Sequence, residues 1–102
     1  MRNNKKNIGT ICVNGIFDKK IAITDRGFQF GDGVFETIAF SEGELEFWNE
    51  HMSRLKKGCK ALAISLPDLK RIFSKAKVMC KFFGGRGVLK IIVSRGVGER
   101  GY

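Results

Sequence analysis

The sequence predicts an α+β domain: a mainly antiparallel sheet with two helices packed on it. Three observations carry that expectation. Apolar residues alternate along Val34 to Phe40 and, with Lys90 as the one interruption, run from Val88 to Val93, both with strand character. Between them, from Asn49 and again from Asp68, the apolar spacing becomes helical. Shorter strand-like runs precede the helices, so the order β-β-β-β-α-α-β segregates helices against a sheet.

Each element has its own signal. Gly9 to Val13 is an apolar run with β-branched residues, closed by the turn pair Asn14-Gly15, and Ile16-Phe17 leads on to a polar turn at Asp18 to Lys20. This is a hairpin. From Asp25 to Gly33, three glycines and two aspartates require a backbone that turns tightly and comes close to something, which reads as part of a site. Val34 to Phe40 then forms a strand, Ser41 to Glu44 a turn, and Leu45 to Phe47 a short returning strand. Asn49 is the expected N-cap of the first helix, with Glu50 in its first turn and Met52, Leu55, Cys59 and Leu62 on one face, running to about Ala63. Asp68 caps a second helix through Phe83, whose buried stripe is Leu69, Ile72, Phe73, Ala76 and Cys80, and Gly84-Gly85 ends it. Gly87 to Ser94 closes the pattern as a well-buried strand.

Composition excludes several classes. The apolar fraction of 43%, with nine Phe and one Pro in 102 residues, describes a packed globular chain. No apolar stretch approaches the ~20 residues of a membrane span, and Met1 to Lys6 leads into Asn7 rather than a signal peptide's apolar core, so the expected setting is the cytoplasm. Cys12, Cys59 and Cys80 lie singly in apolar or helical patterns without metal-ligand spacing, and are expected to be reduced, buried thiols. His51 is the only histidine, so no metal site is expected. The net charge of +9 attracts phosphate, but the basic pairs are scattered over several elements without a nucleic-acid motif. A solvated surface that favours small anionic ligands is the better reading.

Two places hold chemistry. Arg54 stands at the edge of the first helix's apolar stripe, where an arginine ordinarily snorkels; the alternative is a fork for two phosphate oxygens. After the last strand comes Ser94-Arg95-Gly96-Val97-Gly98-Glu99-Arg100-Gly101-Tyr102, whose two arginines and tyrosine are able to hold a ligand carboxylate. Gly96 and Gly98 lack the third glycine of a dinucleotide fingerprint.

Taken together, Asp25-Arg26-Gly27, Phe30 to Thr37, Asn49 to Leu55, Ser94-Arg95-Gly96 and Arg100-Gly101-Tyr102 closely resemble the amino-terminal part of fold type IV pyridoxal-phosphate enzymes, which include branched-chain and D-amino-acid aminotransferases. The ending most resembles the aminodeoxychorismate lyase branch. The resemblance implies the small amino-terminal domain of the D-amino-acid aminotransferase-like fold over residues 1–102, pyridoxal 5′-phosphate as cofactor, a homodimer, and a lyase that converts 4-amino-4-deoxychorismate to 4-aminobenzoate and pyruvate. It makes Arg54 the cofactor-phosphate arginine, puts Arg100 and Tyr102 where relatives bind a substrate carboxylate, and places Phe35 and Thr37 on the pocket-lining strand. Phe35, Thr37, Arg54 and Arg100 are expected to share one uncovered face. His51, one turn from Arg54 and without an evident partner, is expected to orient the helix start. Relatives carry the Schiff-base lysine in a carboxy-terminal domain; no lysine here matches it, so no catalytic residue is expected in this chain, and the chain alone is expected to be inactive. An aminotransferase of the same fold is the rival reading, and a non-enzymatic basic binding module the rival from another class.

Overall fold

The computed structural model describes residues 11–97. Strands β1 (Cys12–Val13) and β2 (Ile16–Phe17) form the expected hairpin around Asn14-Gly15, with Cys12 opposite Phe17. Gly9 and Thr10, the start of that predicted run, lie outside the described residues. Next comes α1 (Arg26–Phe30), a one-turn helix that the sequence reading did not anticipate. Asp25 caps it by accepting from the Phe28 N–H at 3.2 Å, and Gly31 closes it in the left-handed region at φ 65°. Gly33 supplies the close approach: a Cβ there would stand 2.7 Å from the Val93 carbonyl oxygen.

The main sheet has the order β4-β3-β5 and is antiparallel throughout. Strand β3 (Gly33–Ser41) pairs with β5 (Arg86–Ser94) over its whole length, from Gly33 opposite Ser94 to Ser41 opposite Arg86. The returning strand is shorter and earlier than expected: β4 is Glu44–Leu45, because Phe47 leaves the extended region at φ 54°. That same residue, not Asn49, is the N-cap of α2 (Trp48–Ala61), and it makes no side-chain capping bond. Met52, Leu55 and Cys59 are buried as expected, whereas Leu62 is the helix's C-cap and 41% exposed. Helix α3 (Leu69–Phe83) follows its signals, with Asp68 accepting from the Lys70 and Arg71 N–H groups and Gly84 at the end. Of its expected stripe, Ala76 and Cys80 are buried and Leu69 and Ile72 half-buried, whereas Phe73 stays exposed and packs edge-on against Trp48, ring centroids 5.0 Å apart.

Both long helices cover one face of the sheet. The core joins Ile38 and Phe40 of β3, Met52 and Leu55 of α2, Ala76 and Cys80 of α3, and Leu89 and Ile91 of β5. Strand β5 was expected to be well buried, but it alternates, with Leu89 and Ile91 inward and Val88 and Ile92 left exposed. A largely apolar run, broken at the outward Lys90, is therefore half covered here. Of the three free cysteines, Cys59 and Cys80 are buried, and burial pushes both thiols up; Cys12 is only half-buried. None of the described helices is long and apolar enough to cross a membrane.

Candidate active site

Strand alternation divides the candidate residues between two sides of the sheet. Phe35 and Thr37 point to the uncovered side, where β5 adds two residues that the sequence reading missed: Ile92 opposite Phe35, and Lys90 opposite Thr37. The Lys90 ammonium lies 4.6 Å from the centroid of the Phe35 ring, a cation–π contact. The signal for both was alternation: Lys90 and Ile92 stand one place from the buried Leu89 and Ile91, and so face outward once the sheet is covered on one face only.

Glu36 points the other way, toward α2. There its carboxylate meets His51, with Nδ1 2.5 Å from Oε1, and Arg54, whose Nη2 donates to Oε1 at 2.9 Å and Nε to Oε2 at a longer 3.4 Å. Glu36 and His51 side chains are 11% and 13% exposed, whereas that of Arg54 is 61% exposed. Burial pushes the Glu36 carboxyl up, but hydrogen bonds from Arg54 and His51, with their charges, outweigh it and hold the group below the usual glutamate value. The Glu36 hydrogen bond and charge in turn push the Arg54 guanidinium up. Nη1 of Arg54 has no protein partner among the described residues. The arrangement is thus an outward guanidinium pinned from behind by a mostly buried carboxylate, a fit for a phosphate or another oxyanion.

Two expectations change on this geometry. Arg54 does not share the face of Phe35 and Thr37: it belongs to α2, on the helix-covered side. His51 does have a partner, Glu36, which lies on a different element and so was invisible in the local sequence.

The residues around Asp25 and Arg95 form a second polar cluster. Asp32 Oδ2 accepts from Arg26 Nε at 2.9 Å and Arg95 Nε at 2.7 Å, and these bonds hold its carboxyl below the usual aspartate value. Arg95 also donates to the carbonyls of Leu62, at 2.6 Å, and Ala63, at 3.3 Å. Ser94 Oγ donates to Asp25, and the Arg26 N–H donates to the Gly96 carbonyl. Arg95 was read as one of two arginines for a ligand carboxylate. Its guanidinium is instead occupied in tying β5 to α1 and to the end of α2. Arg100 and Tyr102 lie outside the described residues. Among the described residues, no group of three or more His, Cys, Asp or Glu stands together to hold a metal ion.

Sequence comparison agrees with this architecture: residues 33–102 match the family model of amino-transferase class IV. The chain belongs to that family. Within it, the chain is 38% identical over 90 residues to an aminodeoxychorismate lyase from Vibrio harveyi, covering 88% of this chain and 33% of that protein. A crystal structure of 4-amino-4-deoxychorismate lyase from Pseudomonas aeruginosa superimposes with a TM-score of 0.73 at 40% identity, over 82% of this chain and 30% of the other. The PLP-bound form of a hypothetical aminotransferase from Mycobacterium tuberculosis superimposes with a TM-score of 0.76 at 26% identity, over 83% and 33%. The chain spans about a third of the length of these relatives.

Proposed function

We propose that this chain is the amino-terminal part of a pyridoxal-phosphate-dependent lyase that converts 4-amino-4-deoxychorismate to 4-aminobenzoate and pyruvate. The observation that carries the reading is Arg54, an exposed guanidinium with its fork fixed by Glu36, in a chain 40% identical to a structure of that lyase. Pyridoxal phosphate, when bound, supplies the electron sink that lets a bond to the substrate break. Arg54 holds its phosphate. On this reading the ligand reaches from Arg54 around the edge of β3 that β4 leaves unpaired before Phe40, so that Phe35 offers an apolar ring, Thr37 a hydroxyl and Lys90 a positive charge from the uncovered face, while Arg100 and Tyr102 take a substrate carboxylate. The lysine that anchors the cofactor and moves the proton belongs to a further domain, so residues 1–102 bind and orient rather than transfer protons. The substrate is a small anion, the working form a homodimer, and the location the cytoplasm.

An aminotransferase of the same fold is the second reading, favoured by the superposition on the Mycobacterium tuberculosis protein. The test is release of 4-aminobenzoate by a full-length protein carrying this chain, against amino transfer to a keto acid in parallel. Rapid release with negligible transfer supports the lyase; the opposite result overturns it. For the 102-residue chain itself, added pyridoxal phosphate is expected to give no turnover and no stable visible band. A borohydride-reducible band traced to a single lysine of this chain would contradict the reading.

A further inference from the structure

Behind Arg54 stands the chain's only histidine, mostly buried, with its Nδ1 in contact with both partners: 2.5 Å from Glu36 Oε1 and 3.0 Å from Arg54 Nη2. A nitrogen in that position cannot accept from the guanidinium while donating to the carboxylate. The carboxylate is the stronger acceptor, so Nδ1–H donates to Glu36, and Arg54 donates to the same oxygen from its other side. One carboxylate oxygen thus serves two donors, only one of which has a fixed charge.

Charge then decides what the cluster presents to solvent. Arg54 carries one positive charge and Glu36 one negative charge, so with neutral His51 the three side chains sum to zero. Glu50, in the first turn of α2, adds a further negative charge that acts on Arg54. On β5, the residue opposite Glu36 is Ile91, which has no charge. Within this cluster, then, there is no surplus positive charge unless His51 takes up a proton. When it does, the Nδ1–H bond to Glu36 is kept, and one full positive charge is added beside the Arg54 fork.

We propose that His51 is a positioning residue for Arg54, and that proton uptake by His51 strengthens the grip of Arg54 on a dianionic oxyanion such as a phosphate ester. This rests on the reading of Arg54 as a phosphate-binding residue and adds regulation of that site by pH.

Sulfate is the probe, because it stays doubly charged across the histidine range and any pH dependence then belongs to the protein. Its affinity for the 102-residue chain is measured by titration calorimetry at about pH 5.5 and about pH 8. We expect binding roughly three- to tenfold tighter at the lower pH, the size of one added charge acting over several ångströms near a surface. His51→Gln should remove that difference. Arg54→Ala should weaken binding at both pH values. The single imidazole gives one Cε1–H resonance in the wild-type chain, and added sulfate should move it toward its protonated position at fixed pH, as linkage requires. That spectrum needs no variant, so it decides the matter even if His51→Gln does not fold. If Arg54→Ala leaves sulfate affinity unchanged, the phosphate reading of Arg54 fails. If Arg54 matters, but affinity is flat with pH or the imidazole resonance ignores sulfate, the phosphate reading stands and the role given to His51 is wrong.

Discussion

Asp32 gathers Arg26 and Arg95 on one oxygen, and Arg95 reaches on to the Leu62 and Ala63 carbonyls. Those carbonyls follow the last turn of α2, where the backbone is short of donors and a cation complements the helix dipole. Because the Asp32 carboxyl is held below its usual value, its ionised form stabilises the fold above the ordinary aspartate range, and that contribution is lost as pH falls below it. Asp32→Asn should therefore lower the melting temperature near neutral pH, and the gap to wild type should close on acidification; a constant gap would remove the charge from the explanation. Arg54→Lys keeps a charge but loses the fork, and should weaken cofactor binding in a full-length protein roughly ten- to hundredfold by equilibrium dialysis, with cofactor-free melting measured as the control for the lost Glu36 contact. Unchanged affinity would return Arg54 to a snorkelling role. Arg54 was legible because a helix edge shows in the local spacing. Its partners were not, since Glu36 meets His51 and Arg54 only after β3 and α2 have packed, and nothing local marks Arg95 as a donor to a helix end.

Helix α3 was read from end to end because both of its boundaries are written in side-chain chemistry, Asp68 at the start and Gly84 at the close. The start of α2 was misplaced because Phe47 sets it by backbone conformation alone, and α1 was missed because five residues containing a glycine carry no helical period. The end of α2 has a similar peculiarity. Ile64 N–H reaches the Cys59 carbonyl at 2.8 Å and Ala63 N–H the Lys60 carbonyl at 3.1 Å, a Schellman closure with an alanine at φ 56° where glycine is usual. Ala63→Gly should relieve that conformation and stabilise the chain by about 0.5–1 kcal/mol in chemical denaturation, after allowing for the freer unfolded state. Leu55, 1% exposed at the centre of the helix–sheet contact, is the opposite case. Leu55→Ala should cost about 2–5 kcal/mol by the same measurement, and a smaller loss would mean that the site collapses around the cavity.

At the scale of the molecule, one sheet face is covered by two helices and the other leaves Phe35, Val88 and Ile92 exposed. The segregation of helices from strands was readable from element order, but which strand residues face outward depends on how many layers cover the sheet, and a single apolar run does not record that. An apolar face of this kind favours association. The 102-residue chain should sediment as a dimer or larger at high concentration, and Ile92→Lys should move it toward the 11.4 kDa monomer without loss of helical signal. A wild-type chain that stays monomeric would show that the face tolerates water. The long pairing of β3 with β5 has a consequence in time as well as in space. Its nearest rung joins Ser41 to Arg86 across both helices, and its farthest joins Gly33 to Ser94. Closing so large a loop is slow compared with forming a helix, so α2 and α3 take shape first and the ladder zips last. On the ribosome, β3 emerges before its partner, and the whole edge that β5 will take is unpaired until β5 follows, an interval in which a bare strand edge is open to association.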